Sequence, residues 1–347
     1  SIVLATEITF GKSLTIIGLI NGSDSLIISG GGSNRIFYIT SATNVWMDSL
    51  VIKNGNSNNG GGIYINGCDT LFISNSTVSD NYSSNLAGGI YIINTTLMAT
   101  NCDIVNNRSN NSGGGLFMDY SSRVVFSVTN CRIKGNTSRF SGGGFFVRSA
   151  SKVIVKNSLI TNNTSTNGGG GFYIAFASLV NIDKSTISSN TLTNTSNSRG
   201  GGARLSDNST TTITNSTISN NTSRIGAGLS FSSNPSITIL NSTIGNNISN
   251  SAAGIEFSQD TASIINSTIS NNTSNSTNGS AITHNNSVIN IKGSIVSSHS
   301  YVSGEFPDFS IIAGNPAKVV GDTRTKDLQF FEQNPELKKN YDNWANA

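Results

Sequence analysis

Five aromatic residues recur on one register of this chain: Tyr64, Tyr91, Phe117, Phe146 and Tyr173. Each stands between two apolar residues, as in Ile63-Tyr64-Ile65 and Phe172-Tyr173-Ile174, and the next follows after about 27 residues. In an extended segment alternate side chains face opposite ways, so the central ring points outward when its neighbours point in. On stacked strands these five rings would form a strip roughly 19 Å long. A flat row of rings suits sugar faces, a partner surface or self-association. The same row can also simply stabilise a sheet by stacking across strands. The line continues as Arg204, Ser230, Glu256 and Thr283, which makes Glu256 and Arg204 a candidate charged pair on a solvated surface.

Other reactive groups are sparse. Polysaccharide hydrolysis needs two carboxylates about 5–9 Å apart, and a lyase needs an acidic calcium cluster beside a basic residue. The acids of the repeat region stand apart: Asp48, Asp69, Asp80, Asp103, Asp119, Asp183, Asp207, Glu256 and Asp260. From these residues we expect no catalytic residue, metal site or cofactor. Cys102 and Cys131 occupy the repeat slot held elsewhere by Ser76, Ser158 and Ser216, so they should be neighbours in adjacent units. They read as buried thiols, with a disulfide as the alternative in an oxidising compartment. His284 falls on an inward position and reads as structural. Asn-x-Ser/Thr triplets, including those at Asn75, Asn94, Asn136, Asn215, Asn241 and Asn266, follow from the composition; in a glycosylating host they would be acceptors.

The elements that position these residues come from a repeat. The phrase NSTISNN stands at 215–221 and again at 266–272, with close copies at 75–81, 184–190 and 241–247. Its single apolar residue recurs as Val51, Val78, Ile104, Ile133, Ile160, Ile187, Ile218, Ile244, Ile269 and Ile295. Three places later comes an asparagine: Asn54, Asn81, Asn107, Asn136, Asn163, Asn190, Asn221, Asn247 and Asn272. We expect the apolar residue to point inward. The asparagine should sit at a turn, bond to its copies in adjacent units and tolerate left-handed backbone. Glycine clusters such as Gly142–Gly144 should supply positive φ. Segments such as Thr70–Ile73 and Ser236–Ile239 alternate at period two, and no helical periodicity accompanies them. A period near 27 residues without helices predicts an all-β fold, a right-handed parallel β-helix (solenoid) of about ten coils over residues 1–300.

Composition fits this reading. Only 11% of residues are charged, and the net charge is +3. We therefore expect no nucleic-acid partner, and with no long apolar run, no membrane span. Three cysteines make neither a disulfide framework nor a zinc signature. The opening SIVLATEITF reads as strand and not as a secretory leader, so we expect a mature or trimmed product. Its bare edges suggest end-to-end association of copies.

The NSTIxxN…GGGI pattern over about 12–298 resembles the right-handed β-helix repeats of polymorphic-outer-membrane-like and autotransporter-passenger-like proteins. The resemblance implies a secreted or cell-surface location. The stretch 302–320, with Pro307, Ser310 and Ala313-Gly-Asn-Pro-Ala-Lys318, resembles the closing coil of hexapeptide-repeat acyltransferases. That resemblance implies that Asn315, Pro316 and Lys318 lie on the CoA side. The hexapeptide coils and distant histidine of that family are missing, so residues 301–347 read instead as a C-terminal cap. It has a short helix near 326–333 and a second from Pro335 to about Ala345. The expected function is a non-enzymatic extracellular or cell-surface module: adhesin, fibre or glycan-binding stalk. Its partners would be a glycan, a surface receptor or copies of itself. The alternatives are a polysaccharide lyase or hydrolase, and an acyltransferase acting through the tail.

Overall fold

The computed structural model describes residues 1–20, 24–119, 124–194, 196–208, 210–275, 281–296 and 311–312. Across them the chain winds as a right-handed parallel β-solenoid of about ten turns, without a helix. A full turn lays down four strands; from Ile63 these are Ile63–Asn66, Thr70–Ser74, Thr77–Ser79 and Tyr82–Leu86. Corresponding strands of successive turns pair in parallel and form four sheets, which we number I to IV in that order. From Ile2 to Val296 the repeat that brings one turn onto the next ranges from 24 to 31 residues.

The core follows from alternation. Sheet I sends two side chains inward per turn (Ile63 and Ile65, Phe145 and Val147). Sheet II also sends two (Leu71 and Ile73), and sheet III sends one (Val78, Ile104, Ile133, Ile218); all are buried. Neighbouring turns exchange volume: Phe145 and Phe172 stack at 4.6 Å, and Ala203 follows them in the same column. Such compensation keeps a narrow interior close-packed.

The repeated phrase is a two-cornered segment. In 215–221, Asn215 and Asn220 adopt positive φ, 49° and 56°, and turn the chain at either end. Between them Ile218 is the inward apolar residue of sheet III, while Ser216 and Asn221 are buried polar residues just after each corner. The left-handed geometry expected of the recurrent asparagine therefore belongs to the residue before it: Asp80, Asn106, Gly135, Asn162, Ser189, Asn220, Asn246 and Asn271 all have positive φ.

The expected register is wrong in two turns. In the last, Val296 and not Ile295 pairs with the inward Ile269 and is buried. In the other, Ile52, not Val51, pairs with Val78 and fills the inward slot; Val51 faces out against Thr77. Asn54 accordingly takes the positive-φ corner, and Gly55 occupies the position where later turns have asparagine. The glycine clusters also divide their work. Gly142 has φ of 67°, as expected, but Gly144 is required for close approach: a Cβ there would lie 2.6 Å from the Gly171 carbonyl oxygen.

Ile311–Ile312 pairs in parallel with Ile295–Val296 as a further strand of sheet III. The two cap helices and Asn315, Pro316 and Lys318 lie outside the described residues.

Candidate functional site

The outward line of sheet I begins one turn earlier than the sequence suggested. Tyr38, Tyr64, Tyr91, Phe117, Phe146 and Tyr173 are in register, one per turn. Tyr38 escaped because Ile36, not glycine, stands directly before its strand; the flanking Phe37 and Ile39 were the signal that could have found it. The rings do not form a flat exposed strip. Tyr38 stacks on Tyr64 at 4.9 Å, and Phe146 on Tyr173 at 4.5 Å. The middle contacts are tilted or edge-on. Ring faces are thus engaged with one another. Tyr91 and Phe117 are only 6% and 1% exposed, since Leu86, Ala87 and Ile93 pack over them. The covering segments lie between the repeat phrases, where the sequence pattern says nothing about them.

Guanidinium groups close both ends of this stack. The Arg35 guanidinium lies 5.1 Å from the Tyr38 and Tyr64 rings, fixed by Glu7, Ser57 and the carbonyls of Asn59 and Gly60. Arg204 lies 5.0 Å over Tyr173. Midway, the Tyr91 hydroxyl donates to Asp119, which also pairs with Arg148. Burial, and then the Asp119 charge, raise the Tyr91 pKa above the ordinary phenol value.

Glu256 does not pair with Arg204, and it is not solvated. It is 8% exposed; Arg199 donates to its Oε1 and the Ser230 hydroxyl to its Oε2. Arg199 escaped the sequence reading because it sits in a loop off the repeat line. Its pKa is lowered by burial and then by the nearby charges of Arg204 and Arg224.

A second aromatic line lies on sheet II. Trp46 and Phe72 stack at 5.4 Å with planes 4° apart, and Met98 follows in register. Trp46, Met98 and Ile17 are exposed, beside Thr15, Asp48 and Ser74. The same period-two reading, applied to Val45-Trp46-Met47 and Leu71-Phe72-Ile73, would have found it.

The asparagine column is continuous from Asn81 to Asn272. Each backbone N–H and each side-chain amide donates to the Oδ1 of the next asparagine, as from Asn107 to Asn136 at 2.9 and 3.0 Å. The amide also donates to an Ile or Val carbonyl of the preceding turn, as from Asn136 to Ile104. Asn54 is outside this column, which ends on the Gly55 N–H. A parallel hydroxyl column runs through Ser158, Ser185, Ser216, Ser242, Ser267 and Ser294. Cys102 and Cys131 are adjacent members of that column, buried and unbridged. Their mutual hydrogen bond, and then burial, keep Cys102 a thiol. At a third corner Asn208, Asn234 and Asp260 form a shorter column. Burial raises the pKa of Asp260 above the ordinary carboxylate value.

His284 is in register with the inward Phe257 but exposed. Asn136 is fully buried in its column, which rules out this triplet as an acceptor in the folded state, whereas Asn75, Asn94, Asn215, Asn241 and Asn266 are exposed. Among the described residues no three His, Cys, Asp or Glu side chains converge on a metal-sized site, and no helix is long and apolar enough to cross a membrane.

No curated protein and no solved structure matches this chain. The family model described as the right-handed β-helix region matches residues 17–178 and 128–251, more than half the chain. With the turn-by-turn register above, this places the chain in the right-handed β-helix family.

Proposed function

We propose that this chain is a rigid, non-enzymatic stalk of a secreted or cell-surface protein, of the adhesin or fibre type. The observation that carries the reading is the unbroken asparagine column, which repeats one set of interior hydrogen bonds through eight turns' worth of asparagines from Asn81 to Asn272. Such an interior resists bending and fixes the pitch of every outward line of side chains. The resemblance to autotransporter-passenger-like repeats supports the location. The exposed group of Ile17, Trp46 and Met98 on an otherwise hydroxyl- and amide-rich rod supplies an adhesive patch. Glycans and surface receptors are the partners this patch suits.

A panel of immobilised polysaccharides tests the reading. The chain should bind without releasing reducing or unsaturated ends, and Trp46→Ala should weaken binding about tenfold, the scale of one lost stacked ring. Accumulation of chain ends would replace the stalk with a polysaccharide-active enzyme. Saturable acetyl-CoA binding lost in Lys318→Ala would point to acyl transfer.

A further inference from the structure

Beyond Tyr173 the outward line of sheet I changes character. Arg204, Ser230 and Glu256 follow in register, and Arg199 reaches Glu256 from the adjoining loop. Arg224 stands one turn on from Arg199: its N–H bonds to the Ser198 hydroxyl, and Arg199 pairs with Ile225 beside it. Arg199 thus meets the Glu256 carboxylate, and the charges of Arg204 and Arg224 lie near enough to Arg199 to lower its pKa. Both oxygens of that carboxylate are engaged, Oε1 by Arg199 and Oε2 by Ser230. Arg204 and Arg224 take part in no ion pair among the described residues. The Arg204 Nε is buried and has no hydrogen-bond partner, although its guanidinium is held over the Tyr173 ring. A buried charged donor left unmet is costly, and a planar guanidinium fork matches the oxygens of a carboxylate or sulfate.

We infer that Arg204, assisted by Arg224 and positioned by Tyr173 and the Arg199–Glu256 pair, binds the acidic group of an anionic saccharide. The acidic group pairs with the guanidinium fork of Arg204, which takes part in no ion pair among the described residues, and offsets the local excess of positive charge. The surrounding surface favours a sugar over an acidic peptide. Ser232 and Ser258 end the strands that carry Ser230 and Glu256 and are half-buried, while Ser206 is buried against the Tyr173 phenol and fixes that ring. This assignment goes beyond the stalk reading, which concerns the rod and the Trp46 patch and stands with or without it.

Calorimetry on the full chain at low salt tests it, with tetragalacturonate, a heparin-derived tetrasaccharide, neutral cellotetraose and tetraglutamate as probes. At least one acidic sugar should bind about tenfold or more tightly than cellotetraose, and the comparison of the first two identifies carboxylate or sulfate. That preference should shrink with added salt. It should be abolished in Arg204→Gln and reduced in Arg224→Gln, while Lys12→Gln, in the first turn and far from the cluster, leaves it intact. Unchanged thermal melts for these variants exclude a folding defect; should Arg204→Gln fail to fold, Arg224→Gln carries the test. Equal affinity for acidic and neutral sugars, a preference untouched by either variant, or equal binding of tetraglutamate would each overturn the inference. Loss of binding in Trp46→Ala alone bears only on the stalk's adhesive patch.

Discussion

Asn163 uses every hydrogen-bonding position of its amide. Its Oδ1 accepts from the N–H and the amide of Asn136, and its own amide donates to Ile133 and Asn190. Truncation leaves buried groups of three turns unmet, so Asn163→Ala should cost about 1–3 kcal/mol. The exposed Asn197, off the column, is the control; chemical denaturation giving equal losses for both alanine variants would deny the column a stabilising role. Asp260 makes the opposite case. Its folded pKa is raised by burial, so the folded state holds the proton more tightly and stability drains away as pH climbs from about 4 toward neutral. Asp260→Asn restores the residue type of Asn208 and Asn234 without a charge. It should be neutral near pH 3 and stabilising at pH 7. Melting curves across that range check this, and a variant that loses stability at pH 7 would mean the carboxylate is better satisfied than an amide.

The elements are held by corners and close approaches more than by strand propensity. At Gly144 a Cβ would meet the Gly171 carbonyl at 2.6 Å and the Ile133 side chain at 3.0 Å, whereas at Gly67, with φ of 70°, it would meet nothing within 4 Å. Gly67→Ala should therefore cost only the left-handed backbone penalty, about 1–2 kcal/mol. Gly144→Ala should cost more, because it pushes two turns apart. Equal urea midpoints for the two variants would show that the glycine corner has slack. This is also where sequence reading reached its limit. Inward Ile and Val positions were legible because burial imposes period two, and the asparagines because each turn poses the same hydrogen-bonding problem. The slip at Val51 and Asn54 arose where that turn substitutes Gly55 for asparagine. The burial of Tyr91 and Phe117, and the reach of Arg199 to Glu256, depend on loops of varying length that carry no period.

For the molecule as a whole, turns that solve one problem repeatedly should be interchangeable. Asn215 and Asn241 are equivalent corners, so deleting residues 215–240 joins Thr214 to Asn241 with the register of all four sheets preserved. The product should fold cooperatively and be shorter by about 4.8 Å, as circular dichroism and small-angle scattering would read. An unfolded or aggregated product would mean that individual turns are specialised. Turns that contact only their neighbours also have a mechanical consequence. Pulled along its axis from one end, the rod must give way by peeling, because each terminal turn is held by a single neighbour while the interior stays locked. The 24 to 31 residues of a turn, at about 3.3–3.6 Å each, pay out roughly 90 Å of slack. A molecule anchored at one end would therefore lengthen in even steps under load, each absorbing work before the next is exposed.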